Sequence, residues 1–300
     1  MKSLRAENFF TLIIVLAGLI LLLITPLGAG YDETTHVGRI WEMSRGTLIP
    51  NQYLSQGPNF PTAFHQVSYR TLVNLTPISW AEWQQQLRVH IDWDNMVPHD
   101  TRAIYFPALY LPQAFLMGML GRVLDAPVAL IYYVLRLSYL LIYAALMYFA
   151  VRSIPVGKWL LGILAIAPGA MVQASSITPD GINNAVVFAF IAWLLYLVQP
   201  QVQTLSRRQW LVTILLVLAV TMVKINSIVV LALLLLLPRK KFATRAQFMA
   251  LWISVIALLL VVFVGWNVLA SSQLTAISPT EKIEPLTHLM NILKNPLGFI

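Results

Sequence analysis

Repeated apolar runs are the feature that most limits how this chain can fold. The first run extends from Phe9 to Leu27, and the whole chain is 58% hydrophobic and 11% charged, with a mean hydropathy of +0.73. A run of about 20 apolar residues is long enough to cross a bilayer as a helix. The sequence therefore predicts an all-α, polytopic membrane protein. Further runs lie near 105–124, 128–150, 158–175, 181–198, 209–223, 225–238 and 247–270.

Cysteine content and net charge exclude several classes of function. The chain has no cysteine, which excludes disulfides, thiolate catalysis and cysteine-based zinc or iron–sulfur sites. Its formal net charge of +8 would suggest a nucleic-acid partner in a soluble protein. In a membrane protein such a charge is typical of basic loops on the cytoplasmic side, so we expect no nucleic-acid partner.

The basic residues predict which apolar runs cross the membrane. Short basic loops stay on the cytoplasmic side, so Lys2 and Arg5 predict a cytoplasmic N-terminus and an uncleaved first helix. If the run 105–124 also crossed, the later basic loops would face outward. Pro107 and Pro112 interrupt a regular helix in that run, and we expect it to lie on the outer surface.

The predicted topology is a single module of seven spans over residues 1–300. Residues 9–28 form the first span and residues 29–127 form an outer loop with juxtamembrane helices. Residues 128–270 form spans 2–7, and residues 271–300 form an outer segment. We expect a multi-pass protein of the inner (plasma) membrane.

The long run 209–238 requires separate treatment because "VKIN" at 223–226 interrupts it, with "RR" before it and "RKK" after it. A hairpin keeps both basic clusters on one side of the membrane. Each arm then has about fourteen residues, or roughly 21 Å, which is shorter than the hydrocarbon core. Lys224 would lie below the outer surface, where an ionisable residue usually has a function.

Two acidic residues follow the first span in the stretch "GAGYDETTHVGRIWEMSRG". Asp32 and Glu33 can act in catalysis, but an acidic residue before a helix is also an ordinary cap. The helix that follows is expected to rest on the lipid interface through Ile40, Trp41 and Met43.

Further candidates lie at the ends of later spans, and each has an ordinary structural alternative. Asp180 in "SSITPDGINN" is either a site residue or a normal helix start, and Arg136 either binds an anionic ligand or extends to the interface. His36 shares a helical face with Asp32, but the histidines lack the spacing of an H-E-x-x-H metal site.

The topology places charged residues of both signs at the outer membrane–water boundary. Carboxylates at that depth can accept a proton from a hydroxyl, and cations can hold a phosphate that a lipid tail anchors. This combination suits the transfer of a group from a lipid phosphate to an acceptor. The residues are Asp32, Glu33, Arg136, Asp180 and Lys224.

The order of these motifs resembles a known superfamily. The chain contains, in order, "YDETTHVGRIWEMSRG", "TRAIYFPALYLPQ", an arginine early in the next apolar run, "SSITPDGINNAVVF" and "VTMVKINSIVVLALLLLLP". This set resembles the GT-C superfamily of membrane glycosyltransferases, and within it a bacterial group of uncharacterised polytopic membrane proteins. Relatives usually continue with more spans, so the resemblance implies that the chain is a truncated form or a minimal module.

The resemblance also implies roles for individual residues. Asp32 corresponds to the general base or acceptor-positioning acid, Glu33 to the second acid of a frequent pair, and Asp180 to the acid that begins the fourth span. Lys224 and Arg136 correspond to basic positions near the donor phosphate. His36 is expected to contact substrate, as are Tyr105 and Tyr110 of the aromatic–proline segment, although "YFPALY" has one proline where relatives often have two.

These residues imply inverting transfer of a sugar from a polyprenyl-phosphate donor to an envelope polysaccharide, lipid or protein on the outer face. Asp32 would take the acceptor proton. No cofactor is required by this scheme, although Mg²⁺ or Mn²⁺ can bind acids of this kind, with Asp32, Glu33 and Asp180 as the candidate ligands. The alternatives are a lipid or glycolipid transporter and a non-catalytic membrane scaffold subunit.

Overall fold

A computed structural model describes residues 5–49, 60–74, 79–99, 105–274 and 285–295, and these residues are predominantly helical. The outer-loop region also contains a short antiparallel pair, β1 (Phe60–Pro61) with β2 (Met96–Val97). The helices before the second span are α1 (Ala6–Ile24), α2 (Glu33–Ser44), α3 (Thr62–Asn74), α4 (Trp80–Gln86) and α5 (Leu111–Gly118). The later helices are α6 (Val128–Ser153), α7 (Lys158–Ala165), α8 (Pro168–Ala174), α9 (Pro179–Leu197), α10 (Arg207–Met222), a 3₁₀ helix (Ile225–Leu236), α11 (Arg245–Leu258), α12 (Gly265–Leu274) and α13 (Pro285–Lys294).

Four helices in the described part of the chain are long and apolar enough to cross a membrane. They are Ala6–Ile24, Val128–Ser153, Pro179–Leu197 and Arg245–Ala270, the last of which includes α11, a π-helical segment and part of α12. The predicted count of seven is not confirmed. The remaining apolar passages are broken or shorter helices, so length and composition alone do not identify them as spans.

The apolar run 158–175, which is predicted to cross the membrane, is not a single helix. The structure contains two short helices instead, α7 and α8, and the break falls just before Pro168. Proline lacks the backbone N–H that a continuing helix would need, and its ring disfavours helical geometry in the residue before it. Proline is therefore the first residue of the new helix.

The break in the run 209–238 lies where the sequence predicts it. Helix α10 ends at Met222, and the 3₁₀ helix begins at Ile225. A 3₁₀ helix rises about 2.0 Å per residue, so these 12 residues extend about 24 Å where an α-helix would extend about 18 Å. The second arm of the hairpin thus spans a greater distance than an α-helix with the same number of residues.

Contacts between loops give the bundle two distinct ends. At one end, Glu33 accepts a hydrogen bond from the backbone of Ile177, and Asp180 pairs with Lys224. We call this the Asp180 end. At the other end, which we call the Lys241 end, Leu205 donates a backbone hydrogen bond to Lys241 at 2.7 Å.

Both basic clusters that flank the hairpin therefore lie at the Lys241 end, while Lys224 lies at the Asp180 end. The start of α1 and the end of α6 also lie at the Lys241 end. They meet α7 at that end, because Lys158 contacts both Glu7 (3.9 Å) and the carbonyl of Arg152 (3.2 Å). The hairpin prediction is consistent with these contacts.

Helix α2 differs from the prediction that it rests on lipid. Ile40, Trp41 and Met43 are buried inside the protein, and Trp41 packs against the rings of Phe64 and Trp93. The loop between the first two spans supplies those aromatic rings, so it covers the apolar face of α2. Helix α5 packs against the same helix and completes a layer at the Asp180 end.

Candidate functional site

Glu33 and Arg136 form an ion pair that is completely buried. The guanidinium Nη2 lies 2.6 Å from Glu33 Oε2, and Nε lies 2.7 Å from Oε1, which gives a bidentate pair. The carboxylate also accepts backbone hydrogen bonds from Gly28, Gly30 and Ile177. Glu33 therefore connects the exit of α1, the second span and the segment that precedes α9.

The guanidinium of Arg136 has no donor left for a ligand. Besides its two bonds to Glu33, it donates to the carbonyl oxygens of Leu22, Thr25 and Pro26. An arginine has five N–H donors, and these contacts use all of them. The end of α1 leaves the carbonyl groups of Leu22 and Thr25 without a helical partner, and the guanidinium satisfies them. The carbonyl of Pro26 also accepts from the backbone N–H of Ala29. Neither Glu33 nor Arg136 faces a substrate in this arrangement.

Asp180 and Lys224 form the second ion pair at this end, and it is partly open. Lys224 Nζ lies 2.5 Å from Asp180 Oδ1, with 25% of the lysine side chain and 22% of the aspartate side chain exposed. Asp180 is in the first turn of α9, where Thr178 accepts a hydrogen bond from its backbone N–H. The pair is therefore held in place by backbone structure and can still be approached by a ligand.

Asn183 positions Lys224, although the sequence analysis did not identify it. Its side-chain oxygen accepts a 3.3 Å hydrogen bond from the backbone N–H of Lys224 and a 2.6 Å bond from the hydroxyl of Ser227. Asn183 lies one turn after Asp180 on α9, so one helix holds both the partner and the backbone of Lys224. In the sequence, the asparagines of "PDGINN" were the signal from which this role could have been predicted.

An aromatic group extends from Lys224 to α2. The ammonium nitrogen lies 5.6 Å from the centre of the Tyr105 ring, and that ring lies 5.6 Å from the ring of His36. His36 Nδ1 is in turn 2.9 Å from the hydroxyl of Tyr110. A cation near an aromatic face is stabilised by the electron density of the ring. Tyr105 therefore links the lysine to the histidine.

Burial raises the pKa of the Tyr110 phenol well above its usual range, and the nearby charge of Asp180 contributes in the same direction. The hydroxyl consequently stays protonated at any physiological pH. When it donates to Nδ1, the neutral His36 ring carries its proton on Nε2. The histidine is thereby held in one orientation beside Tyr105.

Asp32 lies one turn before His36 at the start of α2, and it is exposed. Its φ of 51° and ψ of 21° place it in the left-handed region, which a residue other than glycine seldom adopts. The aspartate side chain makes no capping hydrogen bond to α2. The alternative that Asp32 is an ordinary hydrogen-bonding cap therefore has no support from the geometry.

A cavity of about 300 Å³ opens beside the Asp180–Lys224 pair. Lys224, Asn226 and Thr221 contribute polar atoms from the hairpin, and Asn267 contributes an amide from α12. The remaining wall is mostly apolar and includes Tyr105 and Phe106 of the juxtamembrane segment, Phe263 of the π-helical segment and Trp266 of α12. The cavity thus combines one cation with an apolar wall.

The structure brings five of the eight predicted site residues into one contact chain, and it separates the others. The contact chain consists of Asp180, Lys224, Tyr105, His36 and Tyr110. Glu33 and Arg136 form the closed pair, and Asp32 lies exposed next to Glu33. The described residues contain no group of three metal-ligating side chains. Glu33 in particular uses both carboxylate oxygens for N–H donors.

Comparison with known proteins identifies a family but no characterised relative. Residues 14–300 match the sequence profile of a family described as predicted membrane protein (DUF2142). No curated protein and no solved structure matches the chain.

Proposed function

We propose that in this chain, which belongs to the DUF2142 family of predicted membrane proteins, the Asp180 end is a glycosyltransferase site at the membrane surface. The donor is a sugar linked to a polyprenyl phosphate, and the acceptor is an envelope polysaccharide, lipid or protein. The order of motifs that resembles the GT-C superfamily supports this proposal, as does the presence of acidic and basic candidates at one end of the bundle.

The observation that carries the proposal is the position of Lys224 on the wall of a largely apolar cavity. A polyprenyl phosphate has one anionic group on a long hydrocarbon chain, so it needs a cation next to an apolar surface. Lys224 supplies the cation, and Phe263 and Trp266 belong to the apolar wall. A donor phosphate would share the ammonium with Asp180 or replace that carboxylate as its partner.

In the proposed reaction, the acceptor oxygen attacks the anomeric carbon from the side opposite the phosphate. The new bond joins the acceptor oxygen to that carbon, and the bond between the carbon and the phosphate oxygen breaks. The acceptor proton passes to the Asp32 carboxylate, and the electron pair of the broken bond remains on the phosphate. Lys224 stabilises the charge that develops there.

The other residues of the contact chain receive supporting roles. Tyr105 lines the cavity and would contact the donor. His36 and Tyr110 are buried, and they would hold the ring of Tyr105 in place through the contact between His36 and Tyr105. Glu33 and Arg136 receive no catalytic or phosphate-binding role in this proposal, because their polar groups are engaged with each other and with the backbone. Their role is to hold α1, α6 and α9 together beneath the site.

The proposed topology places this site outside the cell. In this topology the broken passage 158–174 crosses the membrane once and the hairpin 207–236 crosses it twice. With the four long helices this gives seven passes, and the N-terminus is in the cytoplasm. The Lys241 end then faces the cytoplasm, in agreement with the retention of short basic loops there. The first span and the later spans would anchor the protein in the inner (plasma) membrane.

Binding and transfer measurements test the proposal separately. Native mass spectrometry of the purified chain with undecaprenyl phosphate measures binding of the leaving group without knowledge of the sugar. Lys224→Ala should weaken this binding about tenfold, because it removes a charge-assisted hydrogen bond. Asp32→Asn should leave binding unchanged and lower transfer from the native lipid-linked sugars by about 10²- to 10⁴-fold.

Arg122→Ala is the matched control, because Arg122 is an exposed cation whose guanidinium lies over the ring of Trp93 and not in the cavity. It should change neither quantity. Equal retention of undecaprenyl phosphate by wild type and Lys224→Ala would remove the donor site from the proposal. Wild-type transfer in both Asp32→Asn and Asp180→Asn would refute the enzyme mechanism and favour a transporter or scaffold.

A further inference from the structure

A second cavity, of about 500 Å³, lies at the Lys241 end, on the opposite side of the bundle from the proposed donor site. One wall is the loop that follows α9 and includes Val198, Val202 and Gln203. The other wall is the end of the 3₁₀ helix and the basic turn after it, with Leu236, Lys240 and Lys241. The cavity is therefore bounded by apolar side chains and two lysines.

Lys241 is an unusual lysine because only 4% of it is exposed. Its ammonium donates to the carbonyl oxygen of Gln199 at 2.6 Å and to the carbonyl oxygen of Val202. A lysine ammonium has three N–H donors, so these two bonds leave one donor. Because the side chain also lines the cavity, a ligand in the cavity can reach it.

The buried charge of Lys241 has no carboxylate partner in the described part of the chain. None of the ion pairs there includes it, and residues 181–280 contain neither aspartate nor glutamate. Backbone carbonyls after α9 offset the charge only in part. A buried ammonium is costly unless an anion pairs with it. An anion in this cavity would remove that cost.

The surroundings of the cavity indicate where such an anion would come from. Helices α6 and α9 end at this side of the bundle, so the cavity lies at the depth of lipid headgroups. Leu235 and Leu236 are 74% and 63% exposed beside it, and they offer an apolar surface that an acyl chain can cover. Further cations at the same end add to the attraction for a negatively charged lipid, namely Arg207, Arg208 and Arg239.

We propose that this cavity binds the phosphate of an anionic phospholipid, with Lys241 and Lys240 as its cationic ligands and Leu236 beside the acyl chain. The lipid would join the loop after α9 to the end of the hairpin, and so fix the hairpin whose other end carries Lys224. This site is independent of the proposed glycosyl transfer, because it rests on residues at the opposite end of the molecule.

The competing explanation is that Lys241 only caps the end of α9 through its two carbonyl contacts. The two explanations differ in their dependence on lipid. A cap stabilises the protein equally in every detergent or lipid, whereas a headgroup site makes the stability depend on the charge of the added lipid. Lys240 is exposed, and it makes no such capping contact to any described residue, so it separates the two explanations.

The test uses the full chain in a non-ionic detergent with added dioleoyl phosphatidylglycerol, dioleoyl phosphatidylcholine or inorganic phosphate. Native mass spectrometry measures retained lipid, and thermal unfolding followed by tryptophan fluorescence measures stabilisation. We expect retention of phosphatidylglycerol over phosphatidylcholine, and a lipid-dependent rise in the unfolding temperature. Lys240→Ala should weaken phosphatidylglycerol binding about fivefold, and Lys241→Met about tenfold.

Arg152→Ala is the matched control, because it removes an exposed positive charge at the same end but outside the cavity. It should retain wild-type binding of phosphatidylglycerol. If Lys241→Met does not fold, Lys240→Ala decides the question, with unchanged stability in phosphatidylcholine and weakened phosphatidylglycerol binding. Equal binding of both lipids, equal loss in the control, or full stabilisation by inorganic phosphate alone would overturn the proposal.

Discussion

Removal of one member of the buried Glu33–Arg136 pair should destabilise this protein strongly. In Arg136→Met the carboxylate of Glu33 keeps three backbone N–H donors but loses its cation. The carbonyl oxygens of Leu22 and Thr25 near the end of α1 also lose their donor. In Glu33→Gln the guanidinium keeps those carbonyls but loses its anion. Each single change should lower the free energy of unfolding by about 3–5 kcal/mol, because it leaves a charge buried without its partner.

The double variant Glu33→Gln/Arg136→Met should lose less than the sum of the two single changes, because it leaves no buried charge. The difference between the sum and the double variant is the coupling energy, which we expect to be about 1–3 kcal/mol. Reversible unfolding in mixed micelles can be followed by the fluorescence of the nine tryptophans. It measures the free energy of unfolding of the wild type, the two single variants and the double variant.

The pair Lys158–Glu7, whose lysine is exposed and whose glutamate is buried, provides the comparison within the same protein. Its atoms are 3.9 Å apart and the lysine side chain is 38% exposed, so Lys158→Met should cost about 1 kcal/mol or less. A loss below about 1 kcal/mol for both Arg136→Met and Glu33→Gln would refute the reasoning. The same conclusion would follow if the single and double variants were strictly additive.

Two further predictions concern the hairpin and the topology. Asn183→Ala removes the acceptor for the backbone N–H of Lys224 and for the hydroxyl of Ser227. It should therefore weaken undecaprenyl phosphate binding severalfold although Lys224 remains present. Binding equal to wild type would show that Asn183 does not position the lysine. Single cysteines at exposed Thr204 and Ala81 should lie on opposite sides of the membrane, and since the chain has no native cysteine, an impermeant thiol reagent added to intact cells should label only Ala81→Cys. Labelling of Thr204→Cys from outside would reverse the proposed orientation.

Local patterns predicted the features that depend on solvent and on backbone chemistry. The apolar runs predicted helices within a membrane, because only a helix satisfies all its own backbone groups there. The polar residues of "VKIN" and Pro112 in the run 105–124 predicted interruptions. Helix α10 ends just before "VKIN", and helix α5 begins next to Pro112. Pro168 carried the same signal for a break in the apolar run 158–175, which was predicted only as a span.

Partner choice, in contrast, depended on the tertiary structure. Arg136 and Glu33 lie 103 positions apart, and nothing local shows that a guanidinium predicted to meet a phosphate instead meets a carboxylate and three carbonyls. Asp180, Lys224, Tyr105 and His36 share one end of the bundle because four separate segments pack there. The sequence by itself determined the membrane environment and the helical segments, since both follow from short-range chemistry. Only the fold decided which charges are paired and buried and which remain open to a ligand, because pairing depends on distances between residues that are remote along the chain.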